Sequence, residues 1–187
     1  DVIESARAPW KAHSWAAVPL LAVEAKPNKT VRLLNPAASS RSPGTVRNAS
    51  EADVKAALDN AAVWDAPLEH RQEVLVLAAD MLESHYGEIF ALLAREAGKG
   101  LPDCVAELRE AVDFLRYYAC QATNTPPAGC FTCISPWNFP LAIFCGQVSA
   151  ALAAGNAVLA KPAEQTPLIA FLATSLLHEA GVPRAVL

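Results

Sequence analysis

Ile134-Ser135-Pro136-Trp137-Asn138-Phe139-Pro140, an apolar run closing at Ala153-Ala154-Gly155, then Asn156-Ala157-Val158-Leu159-Ala160-Lys161-Pro162-Ala163-Glu164-Gln165-Thr166-Pro167: this stretch decides the fold. Phe131 to Ile134 is a short apolar run suited to a buried strand. Pro136 breaks it, and Pro140 suits the first turn of a helix, where its missing N–H costs nothing. The expected helix runs to Ala154 and stops at Gly155, the residue type that takes a left-handed position after a helix end. Ala157 to Ala160 reads as a second buried strand. Thr166 and Pro167 then supply an N-cap and a first helical position.

A strand, helix, strand run of this length implies a right-handed crossover and parallel pairing. Both strands then end on one edge of the sheet, where open α/β sheets bind their ligands. Ser135 to Phe139 and Lys161 to Glu164 become neighbours at that edge. The first turn offers an aromatic ring and a side-chain amide. The second offers a cation and a carboxylate three residues apart. A carboxylate beside a ribose accepts from its hydroxyls and repels a 2′-phosphate, so such a site prefers NAD to NADP.

These motifs, with Glu-Ala-Gly-Lys at Glu96–Lys99 and the run Arg109–Ala119, resemble the aldehyde dehydrogenase superfamily. The wording is most similar to the L-glutamate γ-semialdehyde (1-pyrroline-5-carboxylate) dehydrogenase module of bacterial bifunctional proline-utilisation proteins. The resemblance covers roughly Leu33 to Leu187. It implies an α/β fold: a partial Rossmann-like NAD-binding domain, with parallel strands behind a preceding helical layer. It also implies an oxidoreductase of proline catabolism that converts the aldehyde to glutamate. By this resemblance Asn138 is the side-chain half of an oxyanion hole. Ile134, Pro136 and Trp137 line the nicotinamide end of the NAD site, and Lys161 and Glu164 bind the adenosine ribose.

In the family a cysteine thiolate attacks the aldehyde and a glutamate activates water. Both residues, with the second glycine-bearing turn, fall beyond the counterpart of Leu187. The resemblance thus reads residues 1–30 as an arm from a preceding region. Residues 31–187 are the incomplete amino-terminal part of the NAD-binding domain, and the chain alone is expected to be inactive. FAD would belong to a parent bifunctional protein and would not bind here. Two alternatives stand beside this reading: a truncated, non-catalytic homologue acting as a binding or structural module, and an aldehyde dehydrogenase of another substrate class, since the substrate-anchoring loop also lies beyond the chain.

Composition narrows the classes. A net charge of −4 over 187 residues leaves no electrostatic footprint for nucleic acid. No eighteen-residue apolar run suggests a membrane span; Leu141 to Ala154 is too short and contains Gln147. Five cysteines without a regular framework fit a reducing cytoplasm. The chain opens on Asp1 rather than Met and shows no signal peptide, which reads as a processing or fragment boundary.

Elsewhere, Asp1 to Asn28 reads as a short helix and an extended linker interrupted by Pro9, Pro19 and Pro27. Val31–Leu34 and Thr45–Arg47 are expected strands. Ser50-Glu51-Ala52-Asp53 is a capping-box pattern that opens a helix through Trp64, with Val54, Ala57, Leu58 and Ala61 on one face. Pro67 starts a helix carrying Val74, Leu77, Ala78, Met81 and Leu82. Another spans Tyr86 to Ala97, ending at Gly98. Pro102 opens a long one to about Gln121, with Val105, Leu108, Val112, Leu115 and Ala119 at helical spacing.

Cys130 and Cys133 have a redox or zinc spacing, but residues three apart on a strand face opposite sides, so they read as buried structural thiols. Cys145 reads as core. His13, His70, His85 and His178 are scattered and read as mostly solvated. Glu96 and Lys99 read as a helix-end pair, and Glu107 and Glu110 as a polar helix face. Asn138, taken alone, could equally be a turn residue satisfying backbone groups.

A nucleotide-binding sheet built only in part leaves apolar edges and faces uncovered. The purified chain is therefore expected to self-associate, to pair with the remainder of its module, or to be marginally stable. Sedimentation and thermal melts check this; a monodisperse, cooperatively unfolding monomer contradicts it. NAD binding by the chain alone is expected to be weak, and submicromolar affinity by calorimetry would contradict that.

Overall fold

The computed structural model describes residues 1–26 and 28–187. The interruption assigned to Pro27 lies outside the described residues. In order, the chain forms α1 (Val2–Arg7), a 3-10 turn (Ala8–Trp10), β1 (Trp15–Ala17), β2 (Thr30–Arg32) and β3 (Gly44–Arg47). There follow α2 (Glu51–Asn60), α3 (Leu68–Ser84), α4 (Tyr86–Glu96) and α5 (Leu101–Gln121). The last part is β4 (Cys130–Ile134), α6 (Ala142–Ala153), β5 (Ala157–Lys161) and α7 (Pro167–Ala180).

The expected strand, helix, strand unit is present. β4 and β5 pair in parallel, from Cys130 opposite Ala157 to Ile134 opposite Lys161. The helix between them ends as its residues dictate. Gly155 sits at φ +78°. Its N–H donates to Leu152 O at 2.9 Å, and the Asn156 N–H donates to Ala151 O at 3.0 Å, the paired bonds of a Schellman end. Buried Asn156 then ties this end to the start of β4, its Oδ1 accepting from Ala128 N (2.7 Å) and Gly129 N (3.0 Å).

The N-termini of α6 and α7 are capped from outside the unit. The Glu107 Oε2 of α5 accepts from Leu141 N (3.2 Å) and Ala142 N (2.9 Å). Both Glu96 oxygens, at the end of α4, accept from α7: Oε1 from Leu168 N (2.7 Å) and Oε2 from Ile169 N (2.9 Å). Glu107 and Glu96 are buried, so the readings of Glu107 as a solvated face residue and of Glu96 as partner to Lys99 do not hold. Lys99 pairs with Glu107 instead, Nζ to Oε1 at 2.9 Å. Glu110 is solvent-exposed as expected. Thr166 occupies its expected N-cap position but makes no side-chain cap, because Glu96 has taken the orphan N–H groups.

Around the unit, α5 packs on α6 and α3, and α3 packs on α7. The core side is filled by Val74, Leu75, Ala78 and Leu82 of α3, Leu108, Val112 and Leu115 of α5, and Phe144, Val148 and Leu152 of α6. Arg71 is buried among them, donating Nε to Ala153 O (3.2 Å) and Nη1 to Ala66 O (2.5 Å). These carbonyls lie at the end of α6 and before α3.

Two helix boundaries shift by more than one residue. α6 starts at Ala142 rather than Pro140, since the Glu107 cap sits at Leu141–Ala142. α2 stops at Asn60 rather than Trp64, because the following segment turns extended at Ala61 and bonds elsewhere: Ala62 N to Ala185 O and Trp64 N to Gly155 O, both 2.8 Å. Trp64 is buried there, whereas Val54 and Leu58 of the expected apolar face of α2 stay exposed. The capping box itself is formed: Asp53 Oδ2 accepts from Ser50 N at 2.8 Å, and Ser50 Oγ accepts from Asp53 N at 3.2 Å.

The stretch read as an arm is anchored. β1 pairs in parallel with β3, which pairs antiparallel with β2. The Arg95 guanidinium lies 4.9 Å from the Trp15 ring centre and donates to Ser42 O at 3.1 Å and Trp10 O at 3.1 Å. Trp15 Nε1 donates to Glu88 Oε1 at 2.8 Å.

Burial pushes the Glu96 carboxyl up to about 8, against the opposing pull of the Leu168 and Ile169 N–H groups. A folded pKa above the unfolded 4.5 means the folded state keeps its proton longer, so stability falls as pH rises from 4.5 to about 8. Glu96→Gln removes this slope but loses one of two accepting oxygens, costing about 1–3 kcal/mol. The melting-temperature gap between wild type and variant is therefore expected to narrow over that window. A gap that widens with pH in thermal melts would contradict this.

Candidate functional site

The paired ends of β4 and β5 form the site. Ser135 N donates to Lys161 O at 3.2 Å, immediately past the last strand pair. The loops Ser135–Leu141 and Pro162–Thr166 therefore leave the sheet side by side, as the crossover geometry requires.

On the first loop, Ser135 is buried and Pro136 half-buried, while Trp137, Asn138 and Phe139 are exposed. Ile134, the last residue of β4, is also exposed. No hydrogen bond among the described residues uses the Asn138 side chain. Its reading as a turn residue that satisfies backbone groups is thus not what the structure displays; the amide is free to donate to a ligand. The loop is held from both ends: Ser135 is tied to Lys161, and Leu141 to Glu107. In between, the Lys99 ammonium sits 4.8 Å from the centre of the Phe139 ring.

On the second loop, Lys161 and Glu164 form an exposed ion pair. The hydrogen bond from Lys161 keeps the Glu164 carboxyl below the ordinary carboxylate range, so it stays an acceptor. Ala163 and Thr166 are buried beneath, with Thr166 N donating to Ala163 O at 3.1 Å. The Ser135 Oγ is buried at the same edge and has no hydrogen-bond partner among the described residues.

A dinucleotide fits these residues: the edge offers exposed apolar surface at Ile134 and Trp137 and, across it, a carboxylate and an ammonium still open to solvent. The structure brings Ile134, Pro136, Trp137, Asn138, Lys161 and Glu164 to one edge. Among the described residues neither loop carries a cysteine, and Cys133, next to Ile134, is buried. Cys145 is buried and pushed up to about 12, and Cys104 to about 11, both by loss of solvation. Cys133 is buried and shifted the same way. Cys130 and Cys133 face opposite sides as expected, but Cys130 is exposed rather than buried, since β4 buries only one of its five residues. Among the described residues no group of three or more His, Cys, Asp or Glu could hold a metal, and no helix is long and apolar enough to cross a membrane. His13 and His70 are exposed, and His85 is partly so. His178 is half-buried, with Nδ1 2.8 Å from Val182 O.

Lys99 and Glu107, which brace the first loop, were not read as site residues. A signal existed. Cys104, Glu107, Leu108 and Ala111 recur every three or four positions, which puts Glu107 on the buried side of α5.

Parallel strands with two loops side by side at their carboxyl ends, behind a helical layer, define the class of a partial Rossmann-like domain. The aldehyde dehydrogenase family model matches residues 22–187, and the chain belongs to that family. It is 48% identical over 186 residues to the bifunctional protein PutA of Klebsiella aerogenes, covering 94% of this chain and 14% of that protein. It is 36% identical to a 1-pyrroline-5-carboxylate dehydrogenase of Anoxybacillus flavithermus, covering 82% of this chain and 34% of that protein. Among solved structures, 1-pyrroline-5-carboxylate dehydrogenase from Thermus with bound NAD superposes with a TM-score of 0.87 at 31% identity, over 98% of this chain and 41% of that one. The chain thus spans well under half the length of these relatives.

Proposed function

We propose that this chain contributes to an NAD-dependent dehydrogenase that oxidises L-glutamate γ-semialdehyde to glutamate in proline catabolism, in the cytoplasm. Residues 31–187 act as the amino-terminal part of its NAD-binding domain, with β1 of the first thirty residues paired onto β3. The observation that carries this reading is the free Asn138 amide at the end of β4, side by side with the Lys161–Glu164 pair at the end of β5. The identity to PutA and 1-pyrroline-5-carboxylate dehydrogenases supports the substrate class.

Each residue has a definite task. NAD, when bound, accepts the hydride. Ile134, Pro136 and Trp137 present apolar surface to its nicotinamide end and exclude water there. Glu164 accepts from ribose hydroxyls and Lys161 donates to them, the two releasing each other to do so. The Glu164 charge disfavours a 2′-phosphate. Asn138 donates an amide N–H to the substrate oxygen as negative charge develops on it.

The 187 residues alone are inactive in this reading. The buried thiols are held protonated; Cys130 lies at the opposite end of β4, about 13 Å of strand away from Ile134, and the exposed Cys120 lies in the last turn of α5, outside both loops. A nucleophile and a base must come from elsewhere, and the chain pairs with whatever carries them.

The test is NADH formation from glutamate γ-semialdehyde by the protein expressed from its complete gene. Turnover is expected, and Asn138→Ala should lower kcat by about 100- to 1,000-fold, the usual cost of losing one oxyanion donor. An unchanged kcat in that variant would overturn the role of Asn138. Absence of turnover with this aldehyde, alongside turnover with others, would overturn the substrate.

A further inference from the structure

Asn138 sits on an exposed loop, and an exposed amide can stabilise a developing charge only if its loop holds still. A misplacement of about 1 Å can cost on the order of a hundredfold in rate. What holds this loop is therefore part of the site, and resting on the function proposed above, we infer that Lys99 is a positioning residue for the Asn138 amide.

Lys99 lies between α4 and α5, on a tight connection set by Gly98 at φ +69°. Its side chain is only 14% exposed, against 1% for that of Glu107. Among the described residues the ammonium meets two groups. It stands 2.9 Å from Glu107 Oε1, and it lies over the Phe139 ring at 4.8 Å from the ring centre. Phe139 is the residue next to Asn138. The other oxygen of the same carboxylate, Oε2, binds the N–H groups of Leu141 and Ala142, three and four residues beyond Asn138.

One cation thus braces the loop along two routes. Directly, it attracts the face of the ring beside Asn138. Indirectly, it neutralises the buried carboxylate that caps α6 and fixes the loop's far end. A buried carboxylate with two N–H partners and no cation would be costly to keep charged. A bound cation over an aromatic face is strengthened by the same partial desolvation. The near end of the loop needs no such brace, because Ser135 N is already bonded to Lys161 O. The loop's freedom is therefore concentrated at Trp137–Phe139, where the lysine acts. Lys99 touches neither the reacting atoms nor the Lys161–Glu164 pair that holds the ribose on the other loop, so its effect should fall chiefly on kcat.

The test uses Lys99→Met, which keeps the apolar stem, and Lys99→Arg, which keeps the cation. Phe139→Leu removes the ring from the other side and serves should Lys99→Met fold poorly. Hydrogen exchange by mass spectrometry compares the segment 135–142 with the start of α7, which Glu96 caps independently. In Lys99→Met, exchange over 135–142 is expected to rise about tenfold with the α7 segment unchanged. In the protein from the complete gene, kcat should fall about tenfold, with the NAD dissociation constant held within about twofold. Lys99→Arg should restore both. Phe139→Leu should act in the same direction, and combining it with Lys99→Met should add less than the sum of the two.

Unchanged exchange over 135–142 in Lys99→Met would overturn the inference. So would faster exchange at both segments, or NAD affinity falling in step with kcat, either of which marks general loosening. Faster loop exchange with unchanged kcat would also overturn it, provided Asn138→Ala does lower kcat. If Asn138→Ala leaves kcat unchanged, the oxyanion reading itself has failed, and the two failures are told apart.

Discussion

Two buried carboxylates join the halves of this structure. Glu96 and Glu107 come from the helical layer, yet each ends on the backbone N–H groups that open a helix of the strand-bearing unit. A helix N-terminus has orphan donors and a partial positive charge, and both need an acceptor when no water can reach them. Here the acceptors arrive from more than thirty and more than seventy residues away in the chain. Burying a carboxylate is costly, and the upward shift at Glu96 records that cost. Distributing the charge over two N–H groups offsets part of it. The result is a layer interface specified by direction as well as by apolar area.

The site inherits its geometry from this arrangement. Parallel pairing of β4 with β5 delivers two loops to one edge. The Schellman end at Gly155 and the Asn156 bridge set where the crossover helix stops and β4 begins. Glu107 sets where that helix starts, and hence how long the Asn138 loop is. The exposed side chains of Ile134 and Trp137 leave apolar surface facing outward at this edge.

Local rules read well where a residue's effect is local. Gly155 predicts a helix end because a left-handed turn is needed there, and it takes one. The Ser50–Asp53 box closes within four residues. The opposite faces of Cys130 and Cys133 follow from strand alternation. The failures share a different character. Pro140 looked like a first-turn residue, but the cap position is chosen by a carboxylate on α5. Thr166 looked like a cap, but Glu96 had displaced it. The helix expected to reach Trp64 stops at Asn60, because later parts of the chain offer Ala62 and Trp64 better partners. Cys130 is exposed because one face of β4 is uncovered.

The sequence by itself determined the strand, helix, strand unit, its parallel sense and the edge where its two loops emerge, since these depend on apolar periodicity, turn residues and the handedness of crossovers. It also placed Asn138, Lys161 and Glu164 at that edge. Only the tertiary structure decided which charges are buried and what they hold. Glu107 reads as part of a polar helix face, and Glu96 and Lys99 as a helix-end pair, until distant backbone donors and a phenylalanine ring are brought against them. A charge's role depends on its partners, and partners far apart in the chain are set by the fold.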